Sequence, residues 1–296
     1  MASLREIRRK IKSVKSTQQI TKAMKMVAAA RMRRAQSAIL ASRPFAVKMD
    51  SAVRDLALME IAADLADPRG GPIHPFFAAA GEERPALVLI TADKGLCGAF
   101  NANVIRASID WLRRHAGRPT AVAAAGRKGR DFIRRLRGDA PAILTELVGV
   151  FPKVGFAQAE LLGNAVIEAY LSGRVTRVTV LYNEFKSVAT QRVAQAELLP
   201  IPVPSGRHEG EGFQFEPGRE ELLGALLPRY VKAQLYRFLL ESQAAELAAR
   251  MNAMDAASKN AAELIGALTL SLNRTRQGII TREIAELVGG AEALSS

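Results

Sequence analysis

Asp93 and Lys94 stand at the end of an apolar run, and Gly95-Leu96-Cys97-Gly98 follows them. A glycine-bearing loop between a strand and a helix is where α/β proteins hold phosphate, because backbone N–H groups and the helix N-terminus converge there. The spacing argues against that use. Neither G-x-G-x-x-G nor G-K-[ST] is present, and no strand-end acid follows at the right distance. A tight turn with close backbone packing accounts for the glycines. Gly126-Arg127-Lys128-Gly129 offers two cations to an anion, but reads more simply as a solvated turn. Cys97 is the single cysteine, and the three histidines, His74, His115 and His208, each sit in or beside a predicted turn or loop. A thiol nucleophile needs a base at hand, so Cys97 is expected to be a buried structural thiol. The same scarcity leaves too few ligands for zinc. No catalytic residue, metal or cofactor is expected. Asp93 and Lys94 do not define a reaction by themselves, and an ion pair or a partner contact explains them.

The elements that position these residues follow from the pattern around them. Ala86 to Thr91 is a continuous apolar run bounded by turn residues, typical of a strand buried on both faces. Helical spacing follows from Asn103 to Arg114. Thr120 to Ala125 is a second buried run, after which Phe132, Ile133 and Leu136 carry helical spacing. Ala142 to Leu147 forms a third strand, Ala157 to Leu171 a helix and Arg177 to Tyr182 a fourth strand. Ser187 to Leu199 alternates loosely, as an edge strand does. This alternation is the signature of a doubly wound parallel sheet. The breaker cluster Asp67-Pro68-Arg69-Gly70-Gly71-Pro72 precedes it, and Pro200 to Pro204 with the loop Ser205 to Gly212 closes it.

Outside this α/β region the period changes to 3.5. Leu240, Ala244, Leu247, Met251, Met254, Ser258, Ala261, Ile265, Leu268, Leu272, Thr275 and Ile279 step by four and three, which is the seam of a coiled coil. No Pro interrupts the stretch from Arg229 to Ser296. A helix of roughly 60 residues is about 90 Å long, more than a globular domain needs. Leu4, Ile7, Ile11 and Val14 carry the same spacing at the other end of the chain. A strict repeat would then land on Gln18, Thr21 and Lys25, so the apolar seam is expected to shift phase to Ile20, Met24 and Val27. Pro44 is expected to kink the helix or to open a new one. The two terminal segments are expected to pair antiparallel, with domains at 1–67, 68–212 and 213–296.

Composition narrows the function. Aromatics make up 5% of the 296 residues, which suits closely packed helices. The single cysteine fits a reducing compartment. No run approaches the length needed to span a membrane, and the charge spread over the first thirty residues predicts no signal peptide. Of the net +13, Met1 to Arg34 supplies +10, with eleven Lys or Arg against Glu6. Such density implies an acidic partner surface: nucleic acid, anionic lipid or acidic protein. A basic coiled coil that binds nucleic acid is the alternative function. Against it, aromatic stacking residues are missing and apolar seam positions interleave the cations.

Four blocks in order along the chain identify a resemblance. Ile20-Thr21-Lys22-Ala23-Met24-Lys25-Met26-Val27-Ala28-Ala29-Ala30-Arg31-Met32-Arg33 resembles the N-terminal signature of the gamma subunit family of the F1 ATPase. Thr91 to Gly98 is similar to that family's first strand-end loop, where Arg is more usual than Lys94. Ala248 to Met254 and Asn273 to Thr281 are similar to its C-terminal helix. Residues 64–84 and 205–212 fit less well. The resemblance implies an antiparallel coiled coil of the terminal helices and a Rossmann-like foot domain without nucleotide. It implies a non-catalytic rotary shaft of the proton-translocating ATP synthase. Its partners would be three alpha and three beta subunits around the coil, an epsilon subunit and the membrane c-ring. Residues at Met24, Lys25, Arg250, Arg276, Gln277, Thr281 and Ile284 would touch the alpha/beta ring. The loop Asp93, Lys94, Gly95, Leu96, Cys97 and Gly98 would meet the ring's lower surface. The implied location is peripheral, on the cytoplasmic side of the inner cell membrane. The cysteine-bearing insertion of the chloroplast version finds no match, so thiol control is not expected.

Overall fold

The computed structural model describes residues 3–66, 74–78, 81–138, 140–151, 153–202 and 219–295. The breaker cluster at 67–72 and the loop at 205–212 lie outside these residues. The elements run α1 (Leu4–Ala66), β1 (Pro85–Ile90), α2 (Phe100–Arg114), β2 (Ala121–Ala125), α3 (Arg127–Ile133), β3 (Ala142–Leu147), α4 (Phe156–Leu171), β4 (Arg177–Phe185), β5 (Gln191–Leu199) and α5 (Arg219–Ser295). They group into two compact units, one of Ala29–Ala249 and one of Met1–Ala28 with Arg250–Ser296.

The larger unit is built on one five-stranded sheet of order β3-β2-β1-β4-β5. β1 pairs in parallel with β2 and β4, β2 in parallel with β3, and β5 returns antiparallel along β4 as an edge strand. β1 is buried at every position because both faces are covered. Ala86, Val88 and Ile90 point to one face, with Val178 and Val180, against α4, α5 and Val53 and Leu56 of α1. Leu87 and Leu89 point to the other, with Leu181, against Val104 and Trp111 of α2 and Ile133 of α3. β2 reads Ala-Val-Ala-Ala-Ala, so helices approach it closely on both sides. Gly163 serves the same end on α4, where an added Cβ would meet Lys232 Cγ of α5 at 2.7 Å. Each fully buried Leu or Val on these faces stabilises the fold by about 1.5–3 kcal/mol.

Three local expectations are corrected. Gly126-Arg127-Lys128-Gly129 is not a solvated turn: α3 begins at Arg127 and Gly129 is buried. Leu136 falls just beyond the end of α3. Pro44 lies inside α1, which continues through it without restarting.

The smaller unit is a two-helix coil. Lys25 Nζ of α1 lies 2.5 Å from Asp255 Oδ1 of α5. Ile7, about five turns before Lys25, is only 5% exposed. In this unit α5 starts at Arg250, less than two turns before Asp255, so only an antiparallel α5 running on from Asp255 can reach Ile7. Along α5 the inward positions from Asn260 to Gln277 are Ala261, Ile265, Leu268, Leu272 and Thr275, all seam positions read from the 3.5 period, whereas Ile279, the last expected seam position, is 37% exposed. Along α1 the expected phase shift does not occur. Ile20 and Val27 are 56% and 51% exposed, while Thr21 is buried and Gln18 and Lys25 are half-buried. The strict repeat is kept because its polar members have partners. Thr21 Oγ1 donates to the Gln18 carbonyl at 3.0 Å, and Lys25 donates to Asp255.

Candidate partner-contact surface

The loop after β1 is fastened from inside. Asp93, 6% exposed, sends both carboxylate oxygens inward. Oδ1 accepts the N–H groups of Arg127 and Gly149, and Oδ2 that of Phe151, all at 2.9 Å. One side chain thereby holds the ends of β1, β2 and β3 together. Thr91 adds a second tie, its Oγ1 accepting the Gly129 N–H at 2.7 Å. That approach needs glycine: at Gly126, with φ of 98°, a Cβ would sit 1.9 Å from the Thr91 carbonyl oxygen. Asn101 completes the fastening. Its Oδ1 accepts from Ala92 N at 2.9 Å and its Nδ2 donates to Cys97 Sγ at 3.3 Å.

What remains outside is Lys94, Gly95, Leu96 and Gly98. Leu96 is 65% exposed and takes φ of 64°. A non-glycine residue there costs on the order of 1 kcal/mol, so the fold holds an apolar side chain outward under strain. Asp93 and Cys97, grouped with the others in the sequence, turn inward. Cys97 is buried beside Ala92, Phe100 and Ala245. His115 packs on Trp111, and His74 on Phe76 and Phe77. His208 lies outside the described residues. Among the described residues no group of three or more His, Cys, Asp or Glu is arranged to hold a metal ion.

On the two-helix coil, Arg276, Gln277, Thr281 and Ile284 are exposed, and Met24 and Arg250 are half-buried. Lys25 is committed to Asp255. Hydrogen bonds from Lys25 and Lys259 hold the Asp255 carboxyl below the usual carboxylate range. Apolar residues that the sequence reading left out of the candidate surface are also exposed: Met26 and Val27 on α1, and Ile280, Leu287 and Val288 on α5. Keeping the repeat from Leu4 in phase would have turned Ile20 and Val27 outward. Among the described residues no helix is long and apolar enough to cross a membrane.

A cavity of about 650 Å³ lies elsewhere in the larger unit, between α1, α5 and the β4–β5 pair. In its wall the Tyr230 hydroxyl donates to Asp50 Oδ1 at 3.1 Å, and burial with the Asp50 charge pushes that phenol up to about 12. Burial also raises the Glu241 carboxyl, which the Arg237 charge partly offsets.

Comparison with known proteins agrees with this architecture. The family model described as ATP synthase matches residues 3–294. The ATP synthase gamma chain of Elusimicrobium minutum is 45% identical over 305 residues, covering 100% of both chains. That of Desulforamulus reducens is 46% identical over 296 residues, covering 99% of this chain and 100% of its own. Among solved structures, a chain of the Tetrahymena thermophila mitochondrial ATP synthase central stalk and c-ring superposes with a TM-score of 0.60 at 27% identity. It covers 81% of this chain and 99% of that one. A chain of the Euglena gracilis mitochondrial ATP synthase superposes with a TM-score of 0.66, covering 98% of this chain and 94% of that one. Its 20% identity supports the fold alone. Matched from end to end by gamma chains and built as a two-helix coil with a doubly wound sheet, this chain belongs to the ATP synthase gamma family.

Proposed function

We propose that the chain is the central shaft of an F-type ATP synthase, coupling proton-driven rotation of a membrane ring to the cycling of three catalytic subunits. One observation carries the reading: the end-to-end likeness to gamma chains of a chain whose first and last helices pair antiparallel. A two-helix coil has no threefold symmetry, so it meets each of three catalytic subunits with a different face. Moving one subunit from 1:99 to 99:1 between conformations takes about 5.5 kcal/mol of differential contact. Exposed apolar residues such as Ile284, and cations such as Arg276, supply contacts of the required kind. The coupling is reciprocal, so hydrolysis turns the shaft and torque drives synthesis.

The chain performs no bond-making step in this scheme. Its partners are alpha and beta subunits in three copies each, an epsilon subunit and the c-ring, and it is peripheral to the membrane on the cytoplasmic side. Met24, Arg250, Arg276, Gln277, Thr281 and Ile284 serve the ring contact, and Lys25, held by Asp255, supports them. In the foot loop Lys94, Gly95, Leu96 and Gly98 make the contact, while Asp93 and Cys97 support them. Family membership leaves the nucleic-acid reading without support. Purification of the tagged chain tests the proposal. One copy is expected with three copies each of two ATP-binding subunits, and recovery of the chain alone or on nucleic acid contradicts it.

A further inference from the structure

The strand order puts a reversal between β1 and β4: α2 leaves β1 on one face, and α4 enters β4 on the other. The crevice outside the C-terminal strand ends at such a reversal is where α/β proteins bind their ligands; here the β1 end leads into α2 and the β4 end turns directly into β5. α5 occupies that crevice. After lying along the α4 face as far as Leu240, the helix passes over the strand ends. Wholly buried Ser242 accepts the Asn183 N–H of β4 through Oγ at 3.4 Å. One turn on, Ala245 is equally buried, packed with Ala92 and Cys97 of the loop after β1 and with Phe100 at the start of α2, and Phe185 and Ala249 flank them. Ser and Ala at these positions bring the helix backbone down onto the strand ends.

We infer that residues 242–249 of α5 act as a built-in ligand at the switch point. They close the sheet's binding crevice, and they form the joint through which torque passes between the foot sheet and the shaft helix. The mechanical half rests on the rotor reading, whereas the docking half does not. A larger side chain at 245 has no room without displacing Cys97 or Phe100, so overpacking opens the joint.

Two measurements test this. In the assembled, membrane-bound complex, Ala245→Phe is expected to lower protons pumped per ATP at least about fivefold while hydrolysis per complex stays within about twofold, with Ala245→Ser as the tolerated control. An unchanged coupling ratio in assembled Ala245→Phe complexes overturns the joint. A folding defect alone removes complexes without changing the ratio. In the full chain alone, amide exchange at 242–249 is expected to stay within about tenfold of Leu87–Ile90. Exchange there at the rate of a frayed helix end overturns the docking, even if Ala245→Phe never assembles. If the wild-type chain neither assembles nor turns, the rotor reading falls, and the exchange result still judges the crevice.

Discussion

Asp93 is buried and does its work inside the fold. Its carboxylate holds three backbone N–H groups from two further loops, and so fixes the platform from which Lys94 and Leu96 project. Asp93→Asn places an amide NH2 against at least one of those donors. It is expected to cost about 2–4 kcal/mol, since hydrogen bonds to a charged group contribute roughly 1.5–3 each. A denaturant titration checks this, and an unchanged midpoint would show that the loops hold without the clamp. Glu241 gives a prediction with the opposite sense. Its carboxyl pKa is raised by burial in the fold, so its stability contribution is fully present below the unfolded value and is lost as pH rises through the folded one. Glu241→Gln is therefore expected to raise the melting temperature at neutral pH. The difference should vanish as pH falls below the ordinary carboxylate value of 4.5. A melting difference constant across that range would contradict the assignment. The residue types in the Asp93 loop announced no reaction, and in the structure Asp93 fastens backbone N–H groups while Lys94 and Leu96 stay exposed. Which of them point outward was not legible, because the inward ties come from Arg127, Gly149 and Phe151, far along the chain.

At the scale of elements, the strands and helices of the sheet domain follow their sequence pattern closely. β1 and β2 are apolar throughout, and only a strand covered on both faces tolerates that. The seam of α5 was equally plain, because Ala261, Ile265, Leu268 and Leu272 leave no rival phase. The seam of α1 was not. Apolar content favoured Ile20 and Val27, while heptad phase favoured Thr21 and Lys25. Phase prevailed because an internal carbonyl and Asp255 satisfy the polar members, and a half-exposed position costs Lys25 little desolvation. This predicts an asymmetry between two isoleucines. Ile7→Ala is expected to destabilise the chain by about 2–4 kcal/mol, and Ile20→Ser by less than about 0.5 kcal/mol. Thermal unfolding of both variants checks it, and equal losses would restore the shifted seam. Exposed Ile20, Met26 and Val27 are then free to face something else.

For the molecule as a whole, the same register sets what the shaft presents to its surroundings. Met24 is half-buried at the edge of the seam, between Ile20 and Val27. A cation at 24 would lie one residue from Lys25, on the surface proposed to face the ring. Met24→Lys is expected to leave the isolated chain folded and to lower ATP-driven proton pumping several-fold relative to hydrolysis, since a misplaced ion pair favours one shaft orientation. Normal coupling in that variant would remove Met24 from the contact surface. The pairing of the two termini was legible from two 3.5-residue repeats alone. The filling of the sheet's crevice by α5 was not, because Ser242, Ala245 and Ala249 look like any small helix residues until the sheet is beneath them.

A shaft of this kind turns inside a ring of catalytic subunits. The most direct test attaches a visible probe to the foot loop of the chain in a surface-held complex with its alpha and beta partners, and adds ATP. One-way rotation in steps of a third of a turn, each dependent on nucleotide, is expected. A probe that stays fixed while ATP is hydrolysed at the full rate would contradict it.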